Sequence, residues 1–202
     1  MSLDKQSASD KDKIRCSWCA GSPLYREYHD FEWGRPVHDD SHLFEMIVLE
    51  GMQAGLSWLT VLKKRDAFRT AFDNYNLERI IGYNDEKIEM LMSDSGIIRN
   101  RLKIKSVVSN AKAFREVQNA FGSFDCFIWN YVDNKPIVNS WRSLSEIPSK
   151  TTLSDRISKD LSNLGFKFVG STIIYSFMQA VGIVNDHITD CFVYSDTSLC
   201  IT

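Results

Sequence analysis

Apolar residues recur along this chain at spacings of three and four, and almost nowhere at the alternation of two that a half-buried strand requires. Leu43, Phe44, Met46 and Ile47 form one stripe, opened by Asp40 or Ser41 and reaching Glu50. An earlier helix opens at Ser22-Pro23, an N-cap with proline in the first turn, and its periodicity takes in Tyr25-Arg-Glu-Tyr-His29. Ser57 caps a helix from Trp58 to Arg65, Asn84 precedes Ile88, Met90 and Leu91, and Ser123 begins Phe124 to Val132. Ile104, Val107, Val108, Ala111 and Phe114 repeat at helical spacing, as do Leu153, Ile157 and Leu161. Pro136 and Pro148 mark connectors. There is no Asn-Gly hairpin and no internal repeat. The expected fold class is all-α: one domain over residues 14–194, built from two packed helical lobes. Residues 1–13 are polar and expected to be disordered, and residues 195–202 to form a loose C-terminal tail.

Phe168 to Asn185 contains no charged residue and is long enough to raise the question of a membrane span. Gly170, Ser171, Thr172, Ser176, Gln179, Gly182 and Asn185 make it too polar for lipid, so a buried helix of a soluble protein is expected instead. With 202 residues, 44% of them hydrophobic, the chain can bury a sizeable core. A net charge of −2 advertises no global attraction to nucleic acid. The local clusters Lys63-Lys64-Arg65 and Arg99, Arg101, Lys103 and Lys105 read as solvated helix faces. Five Cys residues, an odd count, and the lack of an opening signal peptide point to reduced thiols in a cytoplasmic protein, with no special role for Cys126 or Cys200.

Two places carry candidate side-chain chemistry, and a third offers a backbone site for an anion. Cys16 and His29 stand near one end of the chain, and His187 and Cys191 near the other. Two Cys and two His make a complete tetrahedral set for Zn²⁺, which would clasp the termini and leave no open position for substrate. The four-residue spacing of His187 and Cys191 suits one face of a helix. Cys19 competes with Cys16 as ligand, and His187 could equally be a core histidine. In the other place, Trp18, Tyr25, Tyr28, Trp33 and Trp58 accompany Glu50, a carboxylate among apolar neighbours. Either Glu50 caps a helix or bonds a tyrosine hydroxyl, or it serves a pocket for a flat, cationic ligand with hydrogen-bond donors. Further on, Leu164 to Thr172 lies between two apolar helical segments. Gly165 and Gly170 permit a tight hairpin, and the helix N-terminus at Gly170, Ser171 and Thr172 would suit a phosphate, with Lys167 assisting.

The chain as a whole resembles the 3-methyladenine DNA glycosylase I family. The match runs through Cys16-Ser-Trp18, Pro23-Leu-Tyr25, Tyr28-His29-Asp30, Glu32-Trp33-Gly34, Phe44-Glu-Met46, Leu49-Glu50-Gly51 and Gln53-Ala-Gly55-Leu-Ser-Trp58. It continues through Val61-Leu-Lys-Lys-Arg65, Gly96-Ile-Ile-Arg99, Gly165-Phe-Lys-Phe-Val-Gly170, Tyr175-Ser-Phe-Met-Gln179, Val184-Asn-Asp-His187 and Cys191. It extends from about Arg15 to Tyr194. The resemblance implies a helix–hairpin–helix DNA glycosylase fold, with one structural zinc assigned to Cys16, His29, His187 and Cys191. It implies Glu50 and Tyr28 as catalytic candidates and Trp18, Tyr25, Tyr28, Glu50 and Trp58 as the damaged-base pocket. The phosphate contacts fall to Gly165, Lys167, Gly170, Ser171 and Thr172. The implied activity is hydrolysis of the N-glycosidic bond of 3-methyladenine in double-stranded alkylated DNA, by a monomer that releases the free base and has no lyase step. Many helix–hairpin–helix glycosylases carry an Asp where this chain has Asn185, with Asp186 one residue out of register. That departure keeps open a non-catalytic module that senses alkylated DNA. A zinc hydrolase is the weaker rival, since it needs an exchangeable water on the metal.

Overall fold

The structure, a computed structural model, describes residues 13–194; the expectations for residues 1–12 and 195–202 lie outside that range. Helices α1 (Pro23–Phe31), α2 (Asp40–Gln53), α3 (Trp58–Leu62), α4 (Arg65–Ala71), α5 (Leu77–Ile81) and α6 (Asp85–Ser93) come first. The long α7 (Arg101–Phe121) follows, then α8 (Phe124–Trp129), α9 (Thr152–Asn163) and α10 (Ser171–Ala180). The starts follow the cap chemistry. Ser57, Asn84 and Ser123 each accept a hydrogen bond from the backbone N–H three residues on, and the second helix is capped by Asp39, one residue before the expected start.

The core is organised on α2, in which every residue from Leu43 to Met52 is buried. Against it lies α7, whose Ile104, Val107, Ala111, Phe114 and Val117 face inward as their spacing predicts. Phe114 is set between Phe44, at 5.1 Å between ring centroids, and Phe124, stacked at 4.3 Å. A second, smaller apolar cluster surrounds Cys16, Tyr28, Trp33, Leu62, Cys191 and Val193.

Four expectations need correction. The run from Trp58 to Arg65 is not one helix: it breaks at Lys63-Lys64, where Lys64 Nζ donates to the carbonyls of Ser95 and Gly96. The uncharged stretch from Phe168 is helical only over Ser171–Ala180, and none of the described helices is long and apolar enough to cross a membrane. Its end, Val184–Asn185, is strand β2, paired in parallel with β1 (Ile137–Val138), so a two-residue ladder interrupts an otherwise helical fold. The basic clusters are not uniformly solvated faces. Arg65 is buried in an ion pair with Glu45 and Glu32, and Lys103 is buried with its Nζ on the carbonyls of Met52 and Ala54.

Helices α9 and α10 form a hairpin around residues 164–170. Gly165 takes a φ of +96°, which only glycine adopts without strain, but the second left-handed residue is Phe168 (φ +55°), not Gly170. Phe168 closes on α2 at Gly51, where a Cβ would stand 3.3 Å from the Phe168 Cβ. Buried Asn110 of α7 fastens the hairpin's crown, accepting from Lys167 N at 2.7 Å and donating to Lys167 O at 3.0 Å.

Candidate functional site

A cavity of about 370 Å³ opens between the two apolar clusters, lined by Trp18, Tyr25, Tyr28, Trp33, Glu50, Gln53, Trp58, Leu144, Ile147, Ser176 and Gln179. All five residues expected in the base pocket are therefore together. Four elements bring them there, the start of α3 supplying Trp58. The short turn after Cys16 carries Trp18, α1 carries Tyr25 and Tyr28 on one face, and the C-terminal end of α2 carries Glu50. The rings brace one another edge to face: Trp18 stands 5.4 Å from Tyr25 and 5.1 Å from Trp33 between centroids. Tyr28 and Trp58 are 5.5 Å apart. Tyr25 is held by its hydroxyl, which accepts from Leu59 N at 2.9 Å. Ring faces stabilise a cation, and rigid aromatic walls accept a flat ligand at little entropic cost.

Glu50 is 3% exposed, and its Oε2 has no hydrogen-bond partner. It neither caps a helix nor bonds a tyrosine through that oxygen. Burial alone pushes its carboxyl up to about 8. Burial also pushes the Tyr28 phenol well above its ordinary range, with the Glu50 charge adding to it. Trp58 Nε1 is a second buried polar atom without a partner. Native proteins rarely leave such atoms unsatisfied, and two beside one cavity mark a place for a ligand that accepts and donates hydrogen bonds. A smaller cavity of about 200 Å³ continues from Glu50 and Gln53 past Gly55 and Leu56 to Thr172, Ile173 and Ser176 on α10. The hairpin and the aromatic pocket thus share one face of the molecule.

At the hairpin, Gly165, Lys167, Gly170 and Thr172 are exposed. Gly170 is the N-cap of α10 and supplies no side-chain acceptor to the first-turn N–H groups. The Ser171 hydroxyl is engaged inside the protein, 2.9 Å from Ser154 Oγ, and its hydrogen bond holds the Asp155 carboxyl below its ordinary value. Only the backbone of Ser171 is left to meet an anion.

Behind the aromatic wall, Cys16, His29, His187 and Cys191 are buried with their ligand atoms all within 4.8 Å of one another. His187 Nδ1 lies 3.7 Å from Cys16 Sγ and 3.5 Å from Cys191 Sγ, and His29 Nε2 lies 3.5 Å from Cys191 Sγ. A tetrahedral ion bound by two thiolates and two imidazoles needs sulfur–nitrogen separations of roughly 3.5 Å, so the set fits one. The remaining ring nitrogens are anchored as metal-ligating imidazoles require: His29 Nδ1 on Asp30 at 2.8 Å, His187 Nε2 on Trp33 O at 3.1 Å. Arg15 holds Asp30 in turn; against the effect of burial, Arg15 and His29 lower that carboxyl. Cys19 is excluded as a ligand, since its Sγ donates to Cys16 O at 3.1 Å. The helix expected to carry His187 and Cys191 is absent. They come from a turn beyond β2, closed by Cys191 N donating to Ile188 O at 2.8 Å.

Asp186 does not line the cavity, and its carboxylate is occupied by four donors within the protein. It cannot stand in for the Asp that Asn185 replaces. Among the lining residues, Gln53, Leu144, Ile147, Ser176 and Gln179 were not expected. Ser176 and Gln179 continue the face of α10 that starts at Thr172, a helical spacing the sequence does carry. Leu144 and Ile147 come from a single 3-10 turn and its C-cap, too short to leave a periodic signal.

Comparisons with known proteins give one answer. The family model described as methyladenine glycosylase matches residues 18–194. The DNA-3-methyladenine glycosylase 1 of Escherichia coli (strain K12) is 49% identical over 180 residues, 89% of this chain and 96% of that protein. A crystal structure of 3-methyladenine DNA glycosylase I superposes with a TM-score of 0.87 at 51% identity, over 89% of this chain and 98% of the other. A single-residue variant of 3-methyladenine DNA glycosylase I, solved in complex with 3-methyladenine, matches with a TM-score of 0.87 at 34% identity, over 93% and 98%.

Proposed function

The chain belongs to the methyladenine glycosylase family, and on that basis we propose that it is a DNA repair glycosylase that hydrolyses the N-glycosidic bond of 3-methyladenine in alkylated DNA. The observation that carries this reading is the Glu50 carboxyl, buried without a partner among five aromatic rings. Methylation at N3 makes the base cationic while it is attached to the sugar, so it leaves as a neutral molecule and the bond is already weak. The protein then needs little acid–base power and must chiefly select and position. The damaged nucleotide is extruded, at least cost where pairing and stacking are already impaired. Trp18, Tyr25, Tyr28, Trp33 and Trp58 line the flipped base, and Glu50 accepts from its amino edge. A cation lowers the cost of ionising Glu50, and an unmodified adenine does not. Water attacks the sugar and an abasic site remains. The proposed reaction is hydrolysis alone, with no lyase step.

The exposed hairpin at Gly165, Lys167, Gly170, Ser171 and Thr172 holds the strand through its phosphates, which positions without reading sequence. The ion of the clasp is zinc, held by Cys16, His29, His187 and Cys191. With four protein ligands it is structural, and no step of the reaction passes through it.

The test is release of base from methylated duplex DNA. Free 3-methyladenine should appear, with an abasic site and an uncut strand. DNA that is bound with no base liberated would identify a binding module instead.

A further inference from the structure

Asp186 is fully enclosed, and its carboxylate accepts four hydrogen bonds. On Oδ1 these come from Asn139 Nδ2 and Trp141 Nε1, both at 2.7 Å. On Oδ2 they come from Tyr175 Oη at 2.6 Å and Gln179 Nε2 at 2.7 Å. An ionised carboxylate only accepts, so the orientation of the Gln179 amide is not free: its NH2 belongs to Asp186 and its carbonyl oxygen is turned away from it. Gln179 is half-buried and lines the same cavity as Glu50. Its Oε1 takes no hydrogen bond from any described residue, and among the four donors to Asp186 it is Gln179 that lines the cavity. We infer that Gln179 is a second hydrogen-bond acceptor for the bound base, and that Asp186 is its positioning residue.

The inference rests on the proposed function and deepens it. A carbonyl oxygen lining the same cavity as the Glu50 carboxyl suits an exocyclic amino group, which brings two hydrogens and can donate to two acceptors. A glutamine free to turn would offer an NH2 as readily and recognise a carbonyl oxygen at the same position. By removing that freedom, Asp186 makes the wall specific for a donor edge without touching the ligand. Asn in its place could donate as well as accept, which would release the constraint at nearly constant volume.

The test is the affinity of free 3-methyladenine against 3-methylpurine, which lacks the amino group, read by quenching of tryptophan fluorescence. Base release from methylated DNA and metal content are measured on the same proteins. Gln179→Met should lose about tenfold in affinity for 3-methyladenine and little for 3-methylpurine, so the preference narrows by about tenfold. Asp186→Asn should narrow it in the same direction with Gln179 still in place. Equal weakening of both ligands in Gln179→Met, or no change in either, would overturn the inference, since side-chain packing alone would then explain the residue. A wild-type preference in folded Asp186→Asn would overturn the positioning role. Should Asp186→Asn fail to fold, Gln179→Met still decides, because it removes only one of the four donors. Wild-type protein that releases base while Gln179→Met keeps the full preference sinks this inference alone; wild-type protein that releases none sinks the function as well.

Discussion

Glu45 and Glu50 stand on the same buried helix, at 8% and 3% exposure, and the protein treats them in opposite ways. Glu45 accepts from Arg65 Nε at 2.8 Å and Arg69 Nε at 3.0 Å, and Arg65 also reaches Glu32 at 2.5 Å. Every charge in that group has an opposite charge in contact. Glu50, little more than a turn further on, has none, and an oxygen left without any partner. The buried Cys16, His29, His187 and Cys191 group, which could hold a metal ion, sides with Glu45, because its ring nitrogens and sulfurs either converge on one another or are anchored by Asp30 and Trp33. The difference separates scaffold from site. Where burial is compensated, the residues hold the fold; where it is not, the missing partner is the ligand.

That contrast can be broken in several places. The largest effect is expected at the clasp. His187→Ala removes one of four ligands and should cost the bound ion and on the order of 5 kcal/mol, lowering the melting temperature by more than about 10 °C. Unchanged metal content and melting would refute the clasp. Next comes the pH dependence of stability. The Glu50 carboxyl sits at about 8 in the folded protein against 4.5 for the free side chain, so the folded state holds a proton that the unfolded state loses. Stability from this group is complete below 4.5 and is lost as pH rises through about 8. Glu50→Gln should therefore gain on wild type across that window, approaching about 4 kcal/mol at its upper end. Parallel pH profiles for the two proteins would show that Glu50 is not isolated.

Glu45→Gln should behave in the reverse sense, losing about 3 kcal/mol in denaturant unfolding by leaving Arg65 and Arg69 short of a buried charge. A change of the same sign and size as that of Glu50→Gln at the same pH would erase the distinction between the two acids. The smallest effect is on turnover. Glu50→Gln should slow 3-methyladenine release by roughly 30-fold, the worth of one charge-assisted hydrogen bond, with metal content intact.

The sequence carried the scaffold further than the site. Helix starts at Ser57, Asn84 and Ser123 were legible because capping is local chemistry. Tyr25 and Tyr28 were legible as neighbours because three residues make most of a helical turn. What failed was long-range. The spacing of His187 and Cys191 suits a helix and a tight turn equally, and the turn wins because the preceding residues pair with Ile137–Val138, a contact no local pattern announces. Lys63-Lys64-Arg65 looked like a solvated run until a helix break turned Arg65 inward to Glu45. Gln179 was visible as a polar residue that argued against a membrane span and as part of a matched stretch, but its role depends on Asp186, which reaches it from beyond the helix end.

The most direct test is a titration of the Glu50 carboxyl by carbon-13 NMR in the ligand-free protein. A midpoint near 8 is expected, because nothing but burial acts on the group. A midpoint near 4.5 would mean that Glu50 has a partner or is open to water, and the pocket would lose the feature on which its function rests.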